Sequence, residues 1–485
     1  MIAPEFAKAF DINVPGALNT QLNVKFVNTG IVHEAFWEGS CRWGSKEFLT
    51  PEAEKQRLNQ MLQEFKQKLA NMQIPADFNF LTPVTMYAWV EKGKPEITLP
   101  EEQLNIVRED ADESDVYVVT HPPEGVWIAE AFKKPVIILQ EQGWGVDMVP
   151  RIRMKGISSY QAHNWDELFI KLRLFAVKKA VAHTKLLNIT NLPDKMVYGV
   201  NSGMIDLEPL NERYGMDHEY MDYQAFFGRM DELKRDKRVR KQVKKAAQEL
   251  LNGAQDSNMD LEAVEDSLMF YYTSLDRLQA TGSNAFTIEC FELCSTLEPW
   301  KRRFTPCLNN ALLKDSGIPA ACEGDINALM AMMMQLYLSR KAVYMGNPNF
   351  DFETNMLNLH HSVASLKMMG LDSGKSPYSI HSFTHSKFGV TLRHDFTKDI
   401  GKYVTLGRFD PQGKSMLMTR GEITGGGGMT GYGCSQNVDI AIPNAYEFWR
   451  ESQNYGHHLA MVYGDYVEAV RDLGDLMGFQ VARIV

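Results

Sequence analysis

The sequence predicts an α/β protein in which two Rossmann-like, parallel-sheet domains precede a β-rich, barrel-like C-terminal domain. In the first third, buried β-branched runs alternate with helical segments and Pro/Gly loops, as in residues 116–139, which is the pattern of a parallel βαβ sheet. From about residue 285, short β-like segments and many glycines follow. A chain of 485 residues is too long for one core. The predicted domains are residues 1–170, 171–325 and 326–485.

The local patterns predict the elements in order. A charged amphipathic helix is expected over residues 51–73, and buried strands are expected within 80–90, 116–120 and 134–139. A long helix near residues 165–187 leads into a second α/β unit that begins near Met196, and residues 234–274 are strongly helical. The Met-rich run 328–338 predicts a buried core helix, and the glycine-dense stretch 420–433 predicts a flexible loop that either cradles a ligand or connects strands.

Composition excludes several classes of protein. The formal net charge of -10 argues against a nucleic-acid binder, and the basic run 234–245 is interpreted as a solvated helix face. No apolar run approaches the roughly 20 residues that span a bilayer, and no secretory signal is visible at the N-terminus. The six scattered cysteines form no disulfide framework or zinc pattern and predict reduced, buried thiols. We therefore expect a cytoplasmic protein without nucleic-acid or membrane partners.

Loops at the carboxyl ends of parallel strands line the ligand crevice of such sheets. Here those loops contain His121 and residues 141–145. Neither carries a G-x-G-x-x-G or P-loop pattern, so no nucleotide cofactor is indicated.

Three segments of the second half place ionisable side chains beside apolar runs, at residues 285–293, 317–325 and 455–465. An ionised carboxylate is costly to bury without a cation or hydrogen-bond donors. Carboxylates from two strand ends with a histidine predict a mixed oxygen/nitrogen site for Mn²⁺, Mg²⁺, Co²⁺ or Fe²⁺. Taken singly, a glutamate near a strand end is more often salt-bridged, and a histidine pair more often lies on the surface or in the core. The side chains concerned are Glu289, Glu292, Glu323, Asp325, His457 and His458.

Together, residues 285–485 resemble the C-terminal half of the L-fucose/L-arabinose isomerase superfamily. The segment AFTIECFEL (285–293) is similar to the one in which a metal-binding Glu follows an Ala-Phe-Thr start and a Phe, which implies Glu292 as ligand and Glu289 as reserve. The CEGD motif that ends at Asp325 resembles the one whose Asp is the second carboxylate ligand. HHLAMVYG resembles the closing motif and implies His458 as ligand, with His457 in reserve.

The chain departs from the family pattern in two places. The spacing between Glu292 and Asp325 is longer than in fucose isomerases, and the glycine run 425–428 is unfamiliar. These departures leave the substrate more open than the metal.

The resemblance implies a metal-dependent aldose–ketose isomerase that acts on a free hexose, deoxyhexose, pentose or anionic sugar derivative through an enediolate. Mn²⁺ is the implied cofactor, with Co²⁺ or Mg²⁺ as alternatives, and Glu292 and Asp325 are the implied catalytic residues as well as ligands. It also implies a homo-oligomer, a trimer or hexamer, whose active site lies between subunits. Separately from the resemblance, the density of histidines and arginines makes His361, His381, His385, Arg393 and Arg420 candidate substrate contacts, and Gln142 and Trp144 are N-terminal candidates for a contribution to a neighbouring subunit's site.

Other interpretations stay open at this level. The histidines and bases of residues 379–396 fit a polar edge strand or a subunit interface as well as a sugar site. Arg393, Arg408 and Arg420 can hold an anionic sugar group. The same metal site serves an epimerase or a lyase, and a non-catalytic cytoplasmic sugar-binding protein is the alternative from another class.

Overall fold

The computed structural model describes residues 10–34, 50–141, 143, 145–193, 195, 203 and 206–484. The chain divides into two compact units. One unit is Gln21–Ala176, and the other is Met1–Thr20 together with Val177–Val485. The segment around Met196, where a second α/β unit was expected to begin, lies outside the described residues, as do Gln142 and Trp144.

The unit Gln21–Ala176 contains a mostly parallel sheet. Its strands are β1 (Leu22–His33), β2 (Phe78–Phe80), β3 (Val84–Val90), β4 (Ile97–Thr98), β5 (Val116–Val119), β6 (Val136–Leu139) and β7 (Ser159–Ala162). The order is β4-β3-β1-β5-β6-β7, with β2 also beside β1, and only the β3–β4 pair is antiparallel. The helices are Pro51–Asn71, Glu101–Arg108, Pro122–Phe132, Gly145–Arg153 and Trp165–Ala182, the last of which ends in the other unit.

Burial explains why these segments form this sheet. Every residue of β5 is buried, as are the first three of β6, which is the continuous apolar pattern of strands covered on both faces. The helix Pro51–Asn71 begins where the Thr50 side chain accepts a hydrogen bond from the backbone N–H of Ala53, with proline at the first helical position. The predicted parallel sheet of the first third is confirmed.

The second unit contains a four-stranded, wholly parallel sheet in the order β11-β10-β8-β9. Its strands are β8 (Lys185–Ile189), β9 (Asp217–Met221), β10 (Ala285–Ile288) and β11 (Ala320–Ala321). The helices of this unit are Glu208–Tyr214, Tyr223–Arg235, Lys237–Gly253, Leu261–Thr281, Cys290–Ser295, Glu298–Arg302, Cys307–Asp315, Ile326–Ser339, Ala445–Ser452 and Val467–Met477. The Met-rich helix Ile326–Ser339 is buried from its first residue to Leu338, as the sequence predicted.

A closed, six-stranded antiparallel barrel forms the rest of this unit. The barrel strands are β12 (Tyr344–Asp351), β13 (Met356–His361), β16 (Tyr403–Phe409), β17 (Ser415–Gly427), β18 (Gln436–Ala441) and β19 (Leu459–Tyr463). They follow the order β16-β19-β12-β13-β18-β17, and pairing of β17 with β16 closes the ring. Strand β20 (Gln480–Ile484) adds in parallel to β17, while β14 (Ser379–Ser382) and β15 (Val390–Arg393) form a separate antiparallel pair. The predicted β-rich, barrel-like C-terminal region is confirmed.

The glycine-dense segment differs from its prediction. Most of it is strand and not loop, because β17 continues to Gly427 and pairs with β18 through a register shift between Ile423 and Gly425. The neighbouring backbone comes so close that a Cβ at Gly426 would lie 2.8 Å from the carbonyl oxygen of Asn437. Glycine therefore permits close approach of two barrel strands at this point.

The Met-rich helix Ile326–Ser339 packs on β11 of the parallel sheet and on β16 and β19 of the barrel. The sheet and the barrel accordingly belong to one compact unit, although the sequence placed a domain boundary at residues 325/326. Among the described residues, no helix combines the length and the apolar character needed to cross a bilayer.

The Asp399 carboxylate forms hydrogen bonds with residues at the ends of several elements of this region, and its substitution is the first testable prediction. Its carboxylate accepts hydrogen bonds from His394 (2.6 Å), Lys402 (2.7 Å) and Tyr463 (2.7 Å). Burial alone would raise the pKa of Asp399, but these donors lower it below its usual range. The stabilisation is therefore present above about pH 4, the unfolded-state pKa, and is lost as the pH falls through the lower folded-state value.

We expect Asp399→Asn to lower the unfolding free energy at neutral pH by about 1–3 kcal/mol and to flatten its decline in acid. Urea unfolding at neutral pH and at about pH 3 measures both effects. Asp372→Asn serves as the control, because the Asp372 side chain is 76% exposed. A decline in acid as steep as that of the unmodified protein would contradict this role for Asp399.

Candidate metal centre

Three side chains of the second unit converge with the geometry of a cation site. One ligand atom from each of Glu323, His361 and His458 lies within 4.8 Å of the other two. The Glu323 Oε1 atom is 3.5 Å from His361 Nε2, and its Oε2 atom is 3.6 Å from His458 Nε2. These separations are longer than hydrogen bonds. They approach the roughly 3.0–3.5 Å expected between ligands that share one cation at ~2.1 Å.

The sheet and the barrel both contribute to this group. Glu323 follows β11 in the left-handed backbone region, with φ at 60°. His361 is the last residue of β13, and His458 directly precedes β19. Both strands pair with β12, so the two imidazoles come from neighbouring positions around the barrel.

Asp325 fixes the orientation of His458. Its Oδ2 atom accepts from His458 Nδ1 at 2.8 Å and from the Arg408 guanidinium at 2.6 Å, while Oδ1 accepts from the backbone N–H of Ala328. An ionised carboxylate can only accept, so Nδ1 of His458 carries a proton, and Nε2 is the ring nitrogen that faces Glu323. Asp325 therefore caps the helix Ile326–Ser339 and positions a ligand from behind, and its oxygens are already engaged.

The residues fit a divalent cation. The Nε2 atoms of His361 and His458 are buried and have no hydrogen-bond partner, an arrangement that is costly unless something binds them. Burial alone would raise the pKa of Glu323, but the adjacent His361 and His458 lower it, so the carboxylate is ionised. Two imidazoles with one or two carboxylates suit Mn²⁺, Fe²⁺, Co²⁺ or Zn²⁺.

A second carboxylate, Glu289, lies beside the group. It follows β10, and its Cγ atom lies 3.3 Å from where a Cβ would stand on Gly324. Its Oε2 atom accepts from the backbone N–H of Glu292, whereas Oε1 is buried without a partner. Burial, with the negative charges of Glu323 and Glu292, raises the pKa of Glu289 to about 7.

Glu292, predicted as ligand and catalytic residue, lies outside the Glu323/His361/His458 group. It was expected on a buried strand but lies in the first turn of the short helix Cys290–Ser295, because β10 ends at Ile288. Its carboxylate accepts from the Thr190 hydroxyl at 2.6 Å, the Tyr223 hydroxyl at 3.2 Å and the backbone N–H of Asn191 at 3.0 Å. These bonds connect the ends of β8 and β10 and occupy both of its oxygens.

The structure separates the predicted substrate contacts. His361 belongs to the metal-ligating group. The buried His381 has Nε2 3.7 Å from Asp256, and His385 lies against the Tyr432 ring at 4.1 Å between centroids. Arg420 is exposed and 3.3 Å from Asp465. The reserve ligand His457 is exposed, with its ring 4.3 Å from that of His458.

Arg393, a predicted substrate contact, makes its hydrogen bonds within the protein. Its guanidinium is fully buried, and all five N–H groups are used within the protein. The acceptors are the Thr391 and Ser435 hydroxyls and the backbone carbonyls of Gly428, Gly431 and Gly433. Arg393 therefore holds the loop that follows β17 and has no donor left for a sugar.

Sequence reasoning noticed Glu323 but assigned the ligand role to its neighbour Asp325. A Gly-Asp pair directly before an apolar helical run is an N-cap signal, and it would have favoured a capping role for Asp325. The pairing of Thr287 with Ala321 places Glu289 and Glu323 at equivalent positions beyond neighbouring strands. That register joins residues over 30 positions apart and is not visible in the sequence.

No protein-family model matches the chain, and no curated protein matches it. The geometry of the site therefore carries the functional argument.

Substitution of Gly324 tests whether cation binding depends on the spacing between the Glu289 and Glu323 carboxylates. Its φ of +63° is unfavourable for any other residue by roughly 1–2 kcal/mol, and a Cβ there would press on Glu289 at 3.3 Å. We expect Gly324→Ala to destabilise the protein and to weaken Mn²⁺ binding, measured by titration. Gly282→Ala is the matched control, because Gly282 has a φ of +68° but open space around its Cβ position. An equal loss of Mn²⁺ affinity in both variants would contradict this explanation.

Proposed function

We propose that this chain is a metal-dependent aldose–ketose isomerase related to the L-fucose/L-arabinose isomerases. Glu323, His361 and His458 hold the divalent cation, with Mn²⁺ as the leading candidate, and Glu289 is the acid–base residue. The observation that carries the proposal is the position of Glu289. A buried carboxylate with one unpartnered oxygen and a pKa raised to about 7 stands beside a two-histidine, one-carboxylate group.

Isomerisation of an aldose moves a proton between C1 and C2 through an enediolate. A carboxylate removes the proton most effectively when its pKa lies near the working pH, and Glu289 satisfies that condition. The hydrogen bond from the backbone N–H of Glu292 holds one oxygen of Glu289 and leaves Oε1 to take the proton and return it to the adjacent carbon. A divalent cation at this position supplies Lewis-acid stabilisation of the negative charge on the sugar oxygens.

The assignment differs from the one based on sequence in which carboxylates act. Glu289, the reserve ligand, replaces Glu292 as the acid–base residue, because the Glu292 oxygens are hydrogen-bonded to Thr190, Tyr223 and Asn191. Glu323 replaces Asp325 as the carboxylate ligand, because Asp325 is engaged with Arg408 and His458.

The engagement of the arginines favours a neutral sugar over an anionic one. Arg408 donates to Asp325 and to the backbone carbonyls of Tyr455 and His458. Arg393 is saturated by hydroxyls and carbonyls, and Arg420 is exposed beside Asp465. The two buried guanidiniums, those of Arg393 and Arg408, are therefore committed to groups of the protein and do not hold a phosphate, sulfonate or uronate group.

We propose two further features, a Rossmann-like first unit and a homo-oligomeric assembly, and the second rests on the resemblance. The strand order β3-β1-β5-β6-β7, parallel throughout, supports a Rossmann-like description of the unit Gln21–Ala176. A homo-oligomer, trimer or hexamer, remains the expected assembly, and sedimentation velocity measures its size.

Deuterium exchange tests the reaction. The protein is stripped of metal, resupplied with Mn²⁺, Co²⁺ or Mg²⁺, and incubated in D₂O with neutral and acidic aldoses. We expect metal-dependent deuterium incorporation at C2 of a neutral aldose, with its ketose as product. Incorporation with inversion at C2 and no ketose would indicate an epimerase. No exchange with any sugar and any metal would contradict the isomerase and favour a sugar-binding protein.

A further inference from the structure

Two thiols meet where the parallel sheet contributes to the metal centre. The Sγ atoms of Cys290 and Cys322 are 3.7 Å apart, which is van der Waals contact. Cys290 is half-buried and Cys322 is buried. Asn310 contacts the Cys322 sulfur from the other side, with its Nδ2 atom at 3.4 Å. Sheet pairing of β10 with β11 holds the two chain segments side by side.

The positions of these thiols connect them to both carboxylates of the site. Cys290 directly follows Glu289, and Cys322 directly precedes Glu323. Beyond Cys322, the backbone N–H of Gly324 donates to the Ile288 carbonyl at 3.1 Å. The segments 288–290 and 322–324 are therefore tightly connected, and a backbone shift that brings the two sulfurs together would also displace the adjoining carboxylates.

We propose that Cys290 and Cys322 form a reversible disulfide that switches off cation binding at the neighbouring centre. The chemistry requires a two-electron oxidant, and hydrogen peroxide is sufficient. The thiolate of one cysteine attacks a peroxide oxygen and breaks the O–O bond, which gives a sulfenic acid and one water. The sulfur of the other cysteine then attacks the sulfenic sulfur, the S–O bond breaks, and a second water leaves. Two thiols lose two electrons and two protons, and one peroxide becomes two waters.

Disulfide formation changes the geometry next to the ligands. The sulfurs must approach from 3.7 Å to about 2.05 Å, so the connected segments move by up to roughly 1.6 Å in total. Metal–ligand distances tolerate deviations of only about 0.2 Å. The oxidised protein is therefore expected to bind Mn²⁺ at least tenfold more weakly, and this effect rests on the proposed metal centre.

Peptide mapping with metal titration tests the switch. Full-length protein, Cys290→Ser and Cys294→Ser are treated with hydrogen peroxide in the absence of metal, and free thiols are then blocked. Cys294 is the matched control, because it is an exposed thiol on the same helix. We expect a linked peptide joining positions 290 and 322 in the unmodified protein and in Cys294→Ser. The Mn²⁺ affinity of both should fall at least tenfold and recover on reduction.

Different results would contradict the disulfide and the loss of cation binding. Oxidation that yields no 290–322 linked peptide in the unmodified protein would overturn the disulfide, whichever way the serine variants behave. A linked peptide with unchanged Mn²⁺ affinity would overturn the switch. Reduced protein that binds no Mn²⁺ would refute the proposed metal centre and with it the switch, while the linked peptide would still decide the disulfide.

Discussion

Glu323→Gln is expected to abolish turnover and to reduce Mn²⁺ affinity at least ~100-fold, because it removes the one carboxylate that contacts both imidazoles. The amide is isosteric, but it carries no charge to offset that of the cation. The fold should survive, since Glu323 is partly accessible and, among the residues that the structure describes, its ion pairs are those with His361 and His458. Isothermal titration with Mn²⁺ and the rate of deuterium exchange measure the two effects.

Glu353→Gln is the matched control for this substitution. Glu353 is an exposed carboxylate in the turn between β12 and β13, so its neutralisation should change neither Mn²⁺ affinity nor turnover. Unchanged Mn²⁺ binding by Glu323→Gln would remove Glu323 from the centre. Loss of binding in both variants would indicate an effect of overall charge.

Asp325→Asn has the largest expected effect on stability. Asp325 and Arg408 are both fully buried and 2.6 Å apart, and breaking such a pair from one side costs about 3–5 kcal/mol because the remaining charge is left without its partner. The same substitution leaves one accepting oxygen in place of two, so Nδ1–H of His458 loses its charged acceptor, and weakening of such a contact reduces metal affinity about 10–100-fold. Urea unfolding and Mn²⁺ titration of the purified variant measure these effects separately.

The control is Asp465→Asn, which breaks an exposed pair with Arg420 and should cost at most about 1 kcal/mol. The alternative assignment from the sequence makes Asp325 a metal ligand and catalytic residue. Under that assignment Asp325→Asn would lose turnover and keep its stability. Unfolding curves that coincide with those of the unmodified protein would therefore favour the ligand role over the positioning role.

Much of the fold could be predicted because its signals are local. The runs that became β5 and β6 are apolar and β-branched over their whole length, which is typical of strands buried on both faces. The helix Ile326–Ser339 is apolar on every side, which is typical of a buried core helix. The sequence predicted a barrel-like region but not the closure of the barrel, because the pairings of β19 with β16 and β12 join strands that are far apart in the sequence.

The sequence predicted the region of the candidate metal group and one of its three members. His458 was identified, and Glu289 was named in reserve, because ionisable side chains next to apolar runs are visible in the sequence. Distinguishing Asp325 from Glu323 required knowing that a buried Arg408 faces one of them. The pairing of β13 and β19 with β12, which brings His361 to His458, is likewise a tertiary fact. The hydrogen bonds of Arg393 could not be predicted from the sequence for the same reason, since its acceptors lie at residues 428–435 and within β15.

We infer that Glu323, His361 and His458 together hold one divalent cation. Electron spin-echo envelope modulation of bound Mn²⁺ tests it most directly, with protein carrying ¹⁵N-labelled histidine and one equivalent of the metal. We predict coupling to two histidine nitrogens, one of which disappears in His361→Gln and the other in His458→Gln. Bound Mn²⁺ without histidine coupling, or with coupling unchanged in both variants, would contradict the site.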